Sequence, residues 1–324
     1  MSATTLIAPS EAATTSPPRK RDRAQSRSPR RRGRARARRT LVAWLFCSPF
    51  LFFFLLFGLW PVLASLLMSF TDITSRDLRT PFNVGFVGLQ NYLALFSDDT
   101  FVRSVLNTLY FVVVGIPLTM VVALTIAVAL NSGITRLKAV FRVGYFAPVV
   151  TSIIAIAVVW RYMYQDDGLF NAALAVIGID GPDWLNDPAW AMPALIIMAV
   201  WRNFGIPMVI FLAGLQAIPT ELHEAASVDG AGKWRSFRSI TLPLLRPTTL
   251  VVAVLLSIAY LQFFEEPFVM TGGGPLDSTT SIGYFAYEQF GFGLYGIASA
   301  ASYVLVLVIA LLSFLQFRLF RSRS

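Results

Sequence analysis

The 324-residue chain has one cysteine, one histidine and little charge: Asp, Glu, Lys and Arg make up 14% of it, where soluble domains average about a quarter. Cys47 alone rules out an intrachain disulfide or a thiolate metal site. With His223 the only imidazole, zinc, haem and iron–sulfur centres lack a ligand set. No metal and no cofactor is expected. What is present in excess is apolar: 56% of residues are hydrophobic, so the chain falls in the membrane class.

The net charge of +9 is unevenly spread. Residues 1–40 hold twelve Lys or Arg against Glu11 and Asp22, and the remainder is close to neutral. This tail is too polar to bury a core and reads as a disordered basic segment. It has no aromatic residue to stack on a base, so nucleic acid is not an expected partner.

From residue 41 the pattern changes abruptly. Residues 41–70 contain no charged side chain until the run ends, too long for a cleaved signal sequence and long enough to cross a hydrocarbon layer of about 30 Å. Further apolar runs at 104–130, 143–159, 189–216, 248–264 and 296–317 bring the expected spans to six. Pro49, Pro61, Pro117, Pro148, Pro193 and Pro207 lie in or beside them, which predicts kinked helices. The short run 169–179, with Leu169, Ala172, Ala173 and Val176 on one stripe, reads as an interfacial helix.

Orientation follows from the positive residues, which favour the cytoplasmic side of a span. The basic tail, Arg136 with Lys138 and Arg142, Lys233 with Arg235, Arg238 and Arg246, and Arg318 with Arg321 and Arg323 all fall on one side. Acids such as Asp98, Asp99, Asp166, Asp167, Asp180 and Asp183 fall on the other. Both termini are therefore expected in the cytoplasm. The fold expected is all-α: a six-span transmembrane helix bundle over 41–324, preceded by the 1–40 tail and carrying an ordered cytoplasmic loop at 217–243.

That loop looks specified by something other than lipid. Thr220 is placed to cap a helix whose first turn carries Glu221 and Glu224, and Gly230 to stop it. Leu222, Ala225, Ala226 and Asp229 share one face, whose small central residues let another backbone approach. Trp234, Phe237 and Thr241 repeat at helical spacing beside Arg235 and Arg238, a segment suited to the membrane edge. Such a loop is a candidate docking site.

Glu224-Ala225-Ala226, then Gly230, then Ile240, Leu242 and Pro243 at fixed gaps resemble the EAA signature of inner-membrane permease subunits of binding-protein-dependent ABC importers. The resemblance runs from about Leu41 to Arg318. Trp60-Pro61, Ser69-Phe70, Phe86 to Tyr92, Phe211 to Pro219 and Met270 to Pro275 are similar to the carbohydrate-type branch of that family. It implies that Glu224, Ala225, Ala226, Asp229 and Gly230 couple the chain to a separate ATPase. It implies two ATPase copies, a second permease subunit of paralogous type, an extracytoplasmic solute-binding protein and a sugar or oligosaccharide as cargo. The place implied is the bacterial inner membrane, and the chain itself is expected not to be an enzyme.

The enzyme readings fail on the residues. Gly230-Ala-Gly-Lys-Trp234 lacks the first glycine and the Ser or Thr of a phosphate loop, and Asp229-Gly230 lacks the downstream aspartates of a membrane phosphotransferase. A secondary transporter for a polar solute is the remaining alternative. It leaves the cytoplasmic signature without a purpose.

Candidate pathway residues come from chemistry and depth alone. Trp201, Asn203, Tyr260 and Gln262 offer apolar ring faces and planar hydrogen-bonding groups to a sugar. Arg202, an ionisable residue within a span, either serves the same pathway or pairs with Glu265 or Glu266 to neutralise charge. Gly272 to Pro275 reads either as a flexible outer loop that touches a binding protein or as a plain exit turn.

Overall fold

A computed structural model describes residues 43–79, 84–131, 144 and 147–321. The basic tail, Arg136, Lys138, Arg142, Arg323 and the first residues of the third expected span lie outside the described residues. The described residues fall into two units divided between Pro61 and Val62.

Apolar sequence becomes helix throughout, because in lipid each backbone polar group must find its partner within its own segment. The helices are α1 (Ala43–Met68), α2 (Gln90–Phe96), α3 (Asp99–Asn131), α4 (Ile153–Met163), α5 (Leu169–Val176) and α6 (Pro188–Asn203). They continue with α7 (Gly205–Gln216), α8 (Thr220–Val228), α9 (Lys233–Leu244), α10 (Arg246–Leu261), α11 (Glu265–Met270), α12 (Ile282–Gly291) and α13 (Tyr295–Arg321). Among the described residues the extended backbone amounts to a single bridge between Thr71 and Phe86.

Among the described residues α1, α3 and α13 are each long and apolar enough to cross a membrane, and α6 with α7 and α9 with α10 reach that measure only as bent pairs, which gives up to five. The described part of the third expected span, α4, is an apolar helix of 11 residues. The prolines shape them. Near Pro61, which has no N–H for the preceding turn, Phe54–Leu59 widens into a π-helix and Trp60 N–H reaches back to the Leu55 carbonyl. Pro207 withholds a donor from the end of α6, and the chain bends by 50° between Asn203 and Gly205. A second bend, of 66°, falls at Leu245 between Pro243 and Pro247.

α3 is the mast of the compact unit. Its 33 residues rise about 50 Å at ~1.5 Å each, and it packs against α6, α7, α10 and α12. It starts five residues before its apolar run, because Asp98 Oδ1 accepts from the backbone N–H groups of Thr100 and Phe101 at 2.8 and 3.1 Å. Gly115, Thr119, Ala123 and Ala127 repeat every four residues and are buried, forming the small-residue stripe that lets helices approach closely in a bilayer. Thr119 donates its hydroxyl to the Gly115 carbonyl at 2.8 Å, so the stripe carries a hydroxyl without an orphaned donor.

The larger core lies among α3, α4, α6, α7 and α10, and a smaller one joins Leu95, Phe101, Phe285, Ala300 and Ala301. α5 sets Phe170 against the rings of Trp160, Tyr164 and Trp184, while the expected stripe of Leu169 and Val176 is exposed. The Gly272 to Pro275 segment is tied rather than loose. Thr279 Oγ1 donates to the Gly274 carbonyl at 2.8 Å and Thr280 Oγ1 to that of Gly273 at 3.1 Å, and Asn107 Nδ2 donates to the Asp277 carbonyl at 2.7 Å.

Candidate functional site

α8 begins one residue earlier than the sequence predicts. Pro219 is its cap, with φ near −58° and ψ near 133°, and no side chain bonds the free N–H groups. Thr220 already has helical backbone, so it cannot cap, and of the two glutamates only Glu221 lies in the first turn.

The far end is as expected and closes tightly. Gly230 has φ +78°, its N–H donates to the Ser227 carbonyl at 3.1 Å, and Ala231 N–H donates to the Ala226 carbonyl at 2.8 Å. This pair of bonds is the Schellman closure, which needs the left-handed conformation that glycine adopts without strain. A methyl group at Gly230 would meet nothing within 4 Å, so in this chain its backbone angle and not its size demands glycine.

No residue of α8 is buried. Glu224, Ala225 and Asp229 are exposed, Ala226 half-buried, and Leu222 shows 42% of its surface. Inward, a side-chain hydrogen bond ties the helix down: His223 Nδ1 lies 2.9 Å from Ser236 Oγ, linking α8 to α9. Trp234 and Phe237 stack on each other at 5.8 Å between ring centroids.

The pathway candidates divide. Asn203, Tyr260 and Gln262 line one cavity of about 90 Å³, together with Arg202, Glu265 and Glu266. Trp201 does not belong to that lining, and its ring packs on Trp160 at 5.3 Å. The Tyr260 hydroxyl meets Thr119 Oγ1 at 2.5 Å, and its ring lies against Phe111 at 5.0 Å.

Arg202 and Glu266 are not joined in an ion pair. Arg202 Nη1 donates to Asn203 Oδ1 at 3.3 Å, while its buried Nε has no partner. Glu266, 4% exposed in the first turn of α11, leaves Oε2 without one. Residues meant merely to neutralise each other would meet at hydrogen-bond distance. Both residues line the same cavity, and each keeps one buried side-chain atom without a hydrogen-bond partner.

The sequence profile of the family described as "Binding-protein-dependent transport system inner membrane component" matches residues 91–323. This chain belongs to that family. Among the permease's relatives is the lactose transport system permease protein LacF of Rhizobium radiobacter, 37% identical over 87% of this chain and 94% of its own length. The trehalose/maltose transport system permease protein MalF of Thermococcus litoralis is 37% identical over 83% and 91%. The arabinooligosaccharides transport system permease protein AraP of Bacillus subtilis is 33% identical over 85% and 87%.

In fold, the permease is similar to a chain of a bacterial ABC transporter involved in the import of the acidic polysaccharide alginate. The TM-score is 0.74 at 24% identity, over 90% of this chain and 99% of that one. Family membership displaces the secondary-transporter alternative. Sequence reasoning placed Glu266 at the outer end of a span only as a pairing partner for Arg202. Its burial depends on α11 packing against α4 and α6, for which the Phe263 to Pro267 break was the sole signal.

Proposed function

We propose that this permease is the membrane-spanning subunit of an ABC importer and carries a sugar or oligosaccharide handed over by an extracytoplasmic binding protein. The observation that carries the reading is α8: a tightly terminated helix bearing Glu224, Ala225, Ala226, Asp229 and Gly230, none of whose residues is buried among the described residues. The curated relatives support the cargo, since their names speak of lactose, trehalose/maltose and arabinooligosaccharides.

In this reading both termini and α8 face the cytoplasm of a bacterial cell and the inner membrane holds the bundle. ATP is hydrolysed by two copies of a separate subunit, one docked on α8 and one on a paralogous second permease. Asn203, Tyr260 and Gln262 contact substrate hydroxyls, and Trp201 supports the wall through Trp160.

The test is to purify the tagged permease from its own membranes and measure ATP hydrolysis in the isolated complex and uptake of labelled lactose, trehalose and arabinotriose. Activity should co-purify with the wild type and be lost with Glu224→Ala. Asn203→Leu and Gln262→Leu should keep the ATPase bound and lower uptake. A complex without ATPase would overturn the importer reading, and unchanged uptake in both pathway variants would move the substrate site elsewhere.

A further inference from the structure

The pathway cavity is lined by one guanidinium, from Arg202, and two carboxyl groups, from Glu265 and Glu266. With both carboxylates ionised, the lining carries one more negative than positive charge. If Glu266 takes a proton the balance only reaches zero, so in neither state does the cavity present the net positive charge that would recruit an acid. Arg161 on α4, the helix packed against α11, does not correct this: it lines a different cavity with Asp166, Asp167 and Asp183.

The hydrogen-bonding chemistry of the lining adds a second constraint. Arg202 brings donors alone and ionised Glu265 and Glu266 acceptors alone. A sugar hydroxyl donates and accepts at once, so a neutral polyol can bond to both kinds of group. A carboxylate ligand satisfies the arginine and sets like charge against two glutamates, an arrangement strongly disfavoured at a desolvated surface.

We infer that Glu265 and Glu266, balanced against Arg202, make this cavity selective for neutral saccharides and against those that carry carboxylates. The inference rests on the pathway reading above. It deepens that reading from carbohydrate to a chemical class of carbohydrate and names the residues that set the class.

The assembled complex, captured through this chain without its binding protein and placed in lipid nanodiscs, allows the test. Saturation-transfer NMR would compare lactose, trehalose and arabinotriose with digalacturonate. At least one neutral sugar should bind, with digalacturonate at least about tenfold weaker as like-charge repulsion requires. The Glu265→Gln/Glu266→Gln double variant should close most of that gap, since the lining then carries the arginine charge alone. The half-exposed Glu265→Gln alone, tolerable if burial makes position 266 critical for folding, should close part of it.

Digalacturonate binding as well as the neutral sugars, or selectivity unchanged in a folded double variant, would overturn the charge assignment and leave the pathway reading standing. Absence of any saccharide signal, or a signal insensitive to Asn203→Leu, would remove the pathway reading and this inference with it.

Discussion

The Tyr260 ring passes Gly115 so closely that a methyl group there would lie 2.4 Å from Cε1 and 2.9 Å from Cδ1, while the Tyr260 hydroxyl reaches Thr119 one turn further along α3. A ring edge held at both ends has no direction in which to yield. The contact fixes α10 against α3 beside the polar cavity.

Gly115→Ala should therefore act as an overpacking change, costing about 1–3 kcal/mol. The expected result is a lowered unfolding temperature in detergent together with reduced uptake. Thr119→Val keeps the volume and removes the hydroxyl, and should cost stability without the clash. An unfolding temperature unchanged in Gly115→Ala would show that α10 shifts freely along α3.

At Gly230 the space is open and only the backbone angle is demanding, so substitutions should rank by their tolerance of positive φ. Val at this position pays roughly 1–2 kcal/mol for the left-handed conformation, whereas Asn visits it more readily. We expect normal membrane abundance for both variants, near-normal transport for Gly230→Asn and strong loss for Gly230→Val. Equal loss in both would mean that the partner leaves no room for a side chain.

Holding α8 to α9, the His223 to Ser236 contact is worth about 0.5–1.5 kcal/mol as a neutral hydrogen bond. Ser236→Ala should speed hydrogen exchange at the amides of α8 and lower the amount of substrate moved per ATP hydrolysed. If exchange and coupling both match the wild type, α8 is positioned by its connections alone.

The proposed cytoplasmic placement of α8 can be tested by cysteine labelling once the exposed Cys47 is replaced by serine. A cysteine at Ser227 should react with a membrane-impermeant maleimide only in inverted vesicles, and one at Asp166 only in intact cells. The opposite pattern would turn the topology over and take the ATPase docking with it.

Much of this was legible before any coordinates. Apolar runs fix spans because lipid leaves the backbone no other solution, and the Gly230 stop follows from one residue's conformational freedom. The start of α3 was signalled by Asp98 and Asp99 and hidden by reading hydropathy alone. Less was legible where tertiary packing decides. Neither the burial of Glu266 nor the turn of Trp201 toward Trp160 leaves a periodic trace in the sequence. The bend at Leu245 arises from two prolines, Pro243 and Pro247, that lie just before the apolar run rather than in it.

The two bends, at Phe204 and at Leu245, bracket α7, α8 and α9. Between them the chain is an articulated arm with an elbow at each end, and α7 is its stiff forearm, about 18 Å long at ~1.5 Å per residue over its 12 residues. Arg202 and Asn203 sit on the near side of the first elbow, and α10 runs from the second to Tyr260. If the proposed ATPase docks on α8, a push there is expected to reach the bundle as rotation at these two joints. On that expectation the cavity walls would part by rotation against α3, on which both α7 and α10 pack.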